Sequence, residues 1–139
     1  MRGWGMVFGV IILLATVVAS FTDWVCMDLL VHRQYQAAPA VWRPGEGAGR
    51  IVISQVIGTL ATAICVGMCA VVPGRPWLVA SAAWGVGALP MALQNFQWMR
   101  ISPAVTASHA LGWLLRLLIA ACLTAWLQPW LTALLHPAG

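Results

Sequence analysis

The sequence predicts an all-α integral membrane protein, a bundle of four helices, from three observations. Of its 139 residues, 62% are hydrophobic and 7% are charged, whereas about 25% of the residues in soluble domains are charged. Seven basic residues, all arginine, and three acidic residues are too few to cover a globular surface. Four stretches contain the about 20 mostly apolar residues that cross a hydrocarbon core. A soluble fold is therefore excluded, and 1–139 is predicted to be one transmembrane domain.

Chain-breaking residues separate the predicted helices, and each helix follows from an apolar run between them. The first span joins an apolar segment to a more polar continuation beyond Phe21. Pro44 with nearby glycines ends the first connection, and Pro73-Gly74-Arg75-Pro76 forms the second. Pro103 suits the first turn of the fourth helix. The predicted spans are about 4–31, 51–72, 77–99 and 103–127, with a tryptophan-rich tail after the last.

The N-terminal segment imitates a secretory signal, because Arg2 precedes an apolar run that ends in the small residues Ala19 and Ser20. We expect this segment to be retained as a membrane helix. Inside the third span, Pro90 is expected to kink the helix near Gln94 and Asn95, since proline cannot donate the helical hydrogen bond.

The arginines predict orientation rather than nucleic-acid binding. They are scattered singly between apolar blocks and form no basic patch, so nucleic acid is not an expected partner. Short loops rich in arginine remain in the cytoplasm. We therefore predict a multi-pass protein of the bacterial inner membrane with its first and third connections cytoplasmic. Those connections carry Arg33, Arg43, Arg50 and Arg100, whereas the N-terminus and the second loop carry Arg2 and Arg75.

Polar side chains gather at one depth of the predicted bundle, on the side of the first and third connections. A rise of about 1.5 Å per residue places polar residues of all four helices within a few turns of that side. Ionisable groups at membrane depth cost about 2.5–3.5 kcal/mol each on insertion scales, so partners are expected. Two interpretations remain open: a shallow, water-accessible bundle end, or a vestibule for an ion, solute or cofactor. The predicted polar intramembrane site comprises Asp23, Asp28, His32, Gln55, Gln94, Asn95, His109 and Arg116.

Individual members of this predicted site have their own expected partners. We expect Asp23, Gln55, Asn95 and His109 to face one another. One helical turn separates Asp28 from His32, which allows either an ordinary ion pair or a proton relay. Arg116 is expected to snorkel towards the outer interface, or to pair with a carboxylate or with a lipid or cofactor headgroup.

The cysteines give no metal site. Cys65 and Cys69 lie one turn apart on a helix face, but two thiols make an incomplete site and no histidine completes it. No metal ion is therefore predicted. The spacing Gly5-x-x-x-Gly9 is a G-x-x-x-G motif of the kind that brings membrane helices into close contact.

Two resemblances are carried by specific runs. Thr22-Asp23-Trp24 through His32-Arg33, with Ser108-His109-Ala110-Leu111-Gly112-Trp113, resembles a group of small four-helix bacterial membrane proteins, which implies the fold and the location only. The segment Ala107–Leu111, with Trp113 and Arg116, is similar to the helix of light-harvesting antenna polypeptides. That resemblance implies bacteriochlorophyll ligation by His109, and an imidazole among small residues also suits haem.

No catalytic signature is recognisable, because the sequence lacks a nucleophile elbow, a phosphate-binding loop and a zinc helix. Asp23 and His109 could still act as an acid/base pair on a lipid. We favour a non-catalytic subunit of a homo- or hetero-oligomeric membrane complex, with bound lipid and with other subunits or itself as partners. The alternatives are a dimeric small transporter or channel that uses the polar site, and a pigment- or haem-binding subunit that uses His109.

Overall fold

The computed structural model describes residues 2–25, 32–33, 37, 48–72, 74–99 and 101–135. Four helices, each long and apolar enough to cross a membrane, dominate this part, and it contains no strand. The predicted all-α membrane bundle is thus confirmed. The helices are α1 (Arg2–Trp24), α2 (Ala48–Val71), α3 (Pro76–Trp98) and α4 (Pro103–Leu135).

One helix end differs from the sequence-based expectation, and another lies outside the described residues. The predicted polar continuation of the first span falls on 26–31, so it stays a prediction, and the described helix covers Arg2–Trp24. Helix α4 does not end near Leu127 but continues through Pro129 to Leu135. Proline is tolerated within membrane helices, where neighbouring groups and local adjustments satisfy the freed carbonyl. The segment after Leu127 is mostly apolar and therefore stays helical.

Local residues explain where α3 and α4 begin. Gly74 adopts a positive φ of 89° in the turn after α2, a conformation that glycine enters without steric penalty. Pro76 then starts α3 in the first-turn position. Ser102 caps α4, because its Oγ accepts a hydrogen bond from the Val105 N–H at 3.3 Å, and Pro103 follows in the first turn.

Helix α3 is interrupted by a π-helical segment at Trp84–Ala88, between α-helical halves Pro76–Ala83 and Leu89–Trp98. The Leu89 N–H bonds to the Trp84 carbonyl, five residues back. Pro90 explains this geometry, since its ring would clash with the carbonyl four residues earlier in a regular α-helix. The irregularity therefore precedes Pro90 rather than lying at Gln94 and Asn95, where the kink was expected.

Helix α4 is the centre of the bundle. It packs about as extensively against α3, along both of its halves, as against α1, and it also contacts α2. Helix α2 packs against Pro76–Ala83 of α3 but has at most a marginal contact with Leu89–Trp98. The two helices therefore diverge towards the side of the first and third connections. The core lies on the other side of this divergence and includes Val7, Ile11, Ala15, Cys65, Val66, Cys69, Val79, Ala80, Leu117, Ala120 and Ala121.

Candidate functional site

An ion pair joins the first and last helices. The Nη2 of Arg116 on α4 donates a hydrogen bond to the Oδ2 of Asp23 on α1. The Arg116 side chain is 7% exposed and that of Asp23 is 33% exposed. Of the alternatives considered for Arg116, the structure therefore shows pairing with a carboxylate. A guanidinium this deeply buried requires such an anion, because an unpaired charge away from water is strongly disfavoured.

Small and aromatic residues shape the space around this pair. A Cβ at Gly58 on α2 would overlap the Arg116 guanidinium, so glycine is needed for the approach. A Cβ at Gly112 would lie 3.5 Å from the Asp23 Oδ1, which is ordinary van der Waals contact. The Arg116 Cζ lies 5.7 Å from the centroid of the Trp113 ring, within the range of a cation–π interaction. The cation is thus enclosed by α1, α2 and α4.

Trp113 also forms part of a second feature, a lateral cleft between α2, α3 and α4 with a volume of about 490 Å³. Its apolar end is lined by residues such as Cys65, Met68 and Leu117, and its polar end by Asn95, Thr106 and His109. Ligand sites commonly have this composition, with a mostly apolar wall and few polar groups. Between the two ends, the lining consists mainly of small residues and methionine: Ala61, Ala83, Gly87, Ala88, Met91 and Ala92.

The π-helical segment positions the wall that α3 contributes to this cleft. The indole N–H of Trp84 donates to the Ala110 carbonyl at 2.6 Å and so fastens α3 to α4 at that level. Beyond this contact, Leu89–Trp98 separates from α2. Gly87 lines the cleft, and a Cβ there would meet no atom within 4 Å. The space exists because α3 leaves α2 while staying on α4.

The residues of the predicted polar intramembrane site are divided between the ion pair and the lateral cleft. Asp23 and Arg116 form the ion pair. Asn95 and His109 line the cleft. Gln55 accepts a hydrogen bond from the Ser20 Oγ at 2.9 Å, which joins α2 to α1 beside the ion pair. The structure therefore brings together Asp23 with Arg116 and Asn95 with His109, and Gln55 meets Ser20 rather than Asp23.

The remaining members of the predicted site are placed less centrally. Gln94 is exposed near the end of α3. His32 is helical and exposed. Asp28 lies outside the described residues, so the predicted Asp28–His32 pair stays a prediction. The predicted pairing of Asp23 with His109 stays a prediction.

Sequence reasoning did not single out Gly58 or Trp84. Gly58 lies four residues before Thr62, whose Oγ1 donates a hydrogen bond to the Gly58 carbonyl at 2.8 Å. A glycine one turn before a threonine is the sequence pattern on α2 that could have drawn attention to Gly58. Trp84 lies six residues before Pro90, so the proline could have indicated an irregular helix near it. The direction of the Trp84 indole depends on the π-helical geometry, which the sequence does not specify. Neither partner, Arg116 nor Ala110, can be inferred from the α2 or α3 sequence alone.

The two cysteines of α2 serve packing. Cys65 and Cys69 are buried, and their thiols contact the carbonyls of Leu117 at 3.6 Å and Pro76 at 3.9 Å. The part of the chain that the structure describes holds no group of three or more side chains able to bind a metal ion.

Comparison with known proteins yields no match: no family model, no curated protein and no solved structure corresponds to this chain. The fold and its two features define the class, a small four-helix membrane protein with a cross-helix ion pair and a lateral cleft. The two resemblances described from the sequence stay predictions.

Proposed function

We propose that this multi-pass protein acts without catalysis as a subunit of a homo- or hetero-oligomeric complex in the bacterial inner membrane, and that it joins its neighbour through the outward face of α1. The observation that carries the proposal is the position of the G-x-x-x-G motif. Gly5 and Gly9 are exposed, and a Cβ at either position would meet no atom within 4 Å.

The geometry of α1 supports an intermolecular role for this motif. The buried positions of α1 recur every four residues from Val7 to Ala19. Gly5 and Gly9 lie two residues out of phase with these positions, on the opposite face, where Leu13 and Val17 are also exposed. Small residues on a membrane helix allow the backbone of another helix to approach closely. Because this face does not serve the bundle itself, a second chain is the fitting partner.

Light scattering after size exclusion in a mild detergent tests this proposal. We expect the wild type to elute as an assembly larger than one chain and the double variant Gly5→Leu/Gly9→Leu to elute as a monomer. Gly67→Leu is the matched control and should keep the assembly, since Gly67 on α2 is also an exposed glycine at which an added Cβ would meet no atom within 4 Å. A monomeric wild type, or an assembly that the double variant leaves intact, would contradict the proposal.

A second candidate is ligation of a tetrapyrrole by His109. It is favoured by one observation, the position of His109 in a cleft whose wall contains Ala61, Gly87 and Ala88. Small residues leave room for a macrocycle beside an imidazole, which can bind haem iron or chlorophyll magnesium. The absorption spectrum of the purified protein decides this candidate. An intense tetrapyrrole band that His109→Leu abolishes would support it, and a colourless protein would contradict it.

The proposed α1 interface supports the alternative of a transporter or channel less well than it supports a non-catalytic subunit. Its expected homodimer would carry a polar path at the interface, as in small transporters with sites between repeats. The outward face of α1 offers Gly5, Gly9, Leu13 and Val17, which line no polar path. A transport role would therefore need a different interface near Asn95 and His109. Flux of a test cation into vesicles, lost in His109→Leu, is the corresponding measurement.

A further inference from the structure

We propose that the lateral cleft binds one acidic phospholipid, with an acyl chain along α4 and the phosphate at the end formed by Asn95, Thr106 and His109. This inference concerns a ligand of the single chain and does not depend on the proposed oligomer.

The size of the cleft favours a chain-like occupant. From Thr106 to Leu117, both in the cleft wall, α4 rises by roughly 16 Å at about 1.5 Å per residue. A slender hydrocarbon chain of that length can lie along α4 and enter between α2 and α3, where the cleft has a volume of about 490 Å³.

The polarity of the cleft gives the occupant a direction. The end nearer the second loop is apolar, with Met68 and Leu117, and the other end carries the amide of Asn95, the hydroxyl of Thr106 and the imidazole of His109. The Asn95 amide and the His109 imidazole can donate hydrogen bonds, whereas the Thr106 hydroxyl donates to the Ser102 carbonyl at 3.2 Å. An amphiphile whose tail lies at the apolar end thus places its headgroup against hydrogen-bond donors.

Charge favours an anionic headgroup. The polar end of the cleft lies on the side of the first and third connections, which carry four arginines and one glutamate, Glu46. Arg50 is the third residue of α2, and Arg100 follows Met99 immediately before Ile101, which lines the cleft. Arginine is well suited to phosphate because its guanidinium donates in a planar fork. Arginines this close in the sequence to the ends of α2 and α3 favour a phosphodiester with net negative charge over a zwitterion.

The lateral opening supplies the access route. Ile64 and Met91 line the cleft and are 63% and 66% exposed. These faces of α2 and α3 lie within the predicted spans and therefore meet the hydrocarbon core. A lipid can enter sideways between them without passing through water.

Brominated lipids in detergent micelles test the proposal, because bromine on the acyl chain quenches tryptophan fluorescence and Trp113 lies in the cleft wall. The probes are brominated phosphatidylglycerol and phosphatidylcholine with identical chains, titrated into delipidated protein. The site-specific signal is the quenching that the wild type shows and Trp113→Phe lacks. We expect half-maximal quenching of this signal at an at least threefold lower mole fraction of phosphatidylglycerol than of phosphatidylcholine.

Two glycine variants separate cleft binding from lipid contact at the outer surface. Gly87→Phe fills the cleft, and we expect it to weaken the phosphatidylglycerol response at least tenfold. Gly85→Phe is the matched control, because Gly85 is exposed on the same π-helical segment, has no atom within 4 Å of an added Cβ and does not line the cleft. The control should keep the wild-type response. Arg100→Gln should reduce the preference for phosphatidylglycerol without removing binding.

Three outcomes would overturn the proposal. Equal responses to the two lipids would remove the headgroup preference, and equal responses of Gly87→Phe and Gly85→Phe would place the lipid outside the cleft. A tetrapyrrole retained in the cleft after delipidation would identify a different occupant. The same titration on the Gly5→Leu/Gly9→Leu variant measures lipid binding in a monomer, so failure of the oligomer and failure of the lipid site are distinguishable.

Discussion

Asp23 and Arg116 lie 93 positions apart in the sequence and form an ion pair that joins α1 to α4. The pair lies in the extensive interface between α1 and α4, and Gly58 of α2 lies against the guanidinium. Because a shift of α1 along α4 by one turn would separate the charges by about 5.4 Å, the pair fixes the register of the two helices. Separation of the charges would leave Arg116 buried without its anion, which is strongly disfavoured.

Removal of the anion should destabilise the bundle. We expect Asp23→Asn to lower the free energy of unfolding by about 2–3 kcal/mol, because Arg116 is then buried without its carboxylate. The double variant Asp23→Asn/Arg116→Met should lose less than the sum of the single variants. Titration with sodium dodecyl sulfate, followed by circular dichroism, measures both. Arg75→Gln is the control, since Arg75 is exposed and should change stability by less than about 0.5 kcal/mol. Additive effects of the two substitutions would show that the pair is not coupled.

An added methyl group at Gly58 should have a similar cost. Gly58→Ala places a Cβ where the Arg116 guanidinium lies, so we expect a loss of about 1–3 kcal/mol from overpacking. Gly67→Ala on the same helix meets no atom within 4 Å and should be neutral, or stabilising by up to about 1 kcal/mol through helix propensity. The same detergent titration compares them. Equal stabilities of the two variants would mean that α2 does not approach Arg116 this closely.

The indole hydrogen bond between α3 and α4 should contribute measurably to stability. Trp84→Phe removes the donor to the Ala110 carbonyl and keeps an aromatic ring, so we expect a loss of about 1 kcal/mol. Trp77→Phe changes an exposed indole near the start of α3 and should have little effect. Thermal unfolding in detergent distinguishes the two. A Trp77→Phe loss as large as that of Trp84→Phe would contradict a specific role for this hydrogen bond.

Orientation can be measured by thiol labelling of intact cells. The arginine distribution predicts that Gly74→Cys, in the second loop, reacts with a membrane-impermeant maleimide from outside. Gly47→Cys, in the first connection, should react only after the cells are permeabilised. Ala138→Cys should behave like Gly74→Cys, because four spans place both termini outside. The wild type, whose own cysteines include buried Cys65 and Cys69, gives the background. External labelling of Gly47→Cys would reverse the assignment.

The sequence alone predicted the fold class because the number and length of apolar runs are one-dimensional properties. For Arg116 it left two alternatives, snorkelling towards the outer interface or pairing with a carboxylate or a headgroup, because a membrane-buried arginine without either is too costly. It did not predict which carboxylate, because residue spacing gives depth along a helix but not rotation about the helix axis. Asp23 was therefore expected opposite Gln55, Asn95 and His109, although its hydrogen-bond partner is Arg116.

The cleft was beyond prediction for a related reason. It depends on the divergence of α3 from α2, which follows from the π-helical segment before Pro90. The sequence indicated that Pro90 disturbs the third helix. A helix can accommodate a proline by a kink or by a π-helical turn, which contains one extra residue. Packing of Trp84 on Ala110 selects the second of these.

The apolar part of helix α4 is longer than the hydrocarbon core of a bilayer is thick. Its apolar span, Pro103–Leu131, contains 29 residues and is therefore about 43 Å long, against about 30 Å of hydrocarbon. A tilt at the upper end of the range of about 0–40° found for membrane helices reduces this length to about 33 Å along the bilayer normal. The exposed indoles of Trp126 and Trp130 lie at the end that must reach the headgroups. Because Thr106 and His109 lie at the polar end of the cleft, the first turns of α4 also reach the headgroup region, so α4 is expected to cross the bilayer at a tilt and without thickening it.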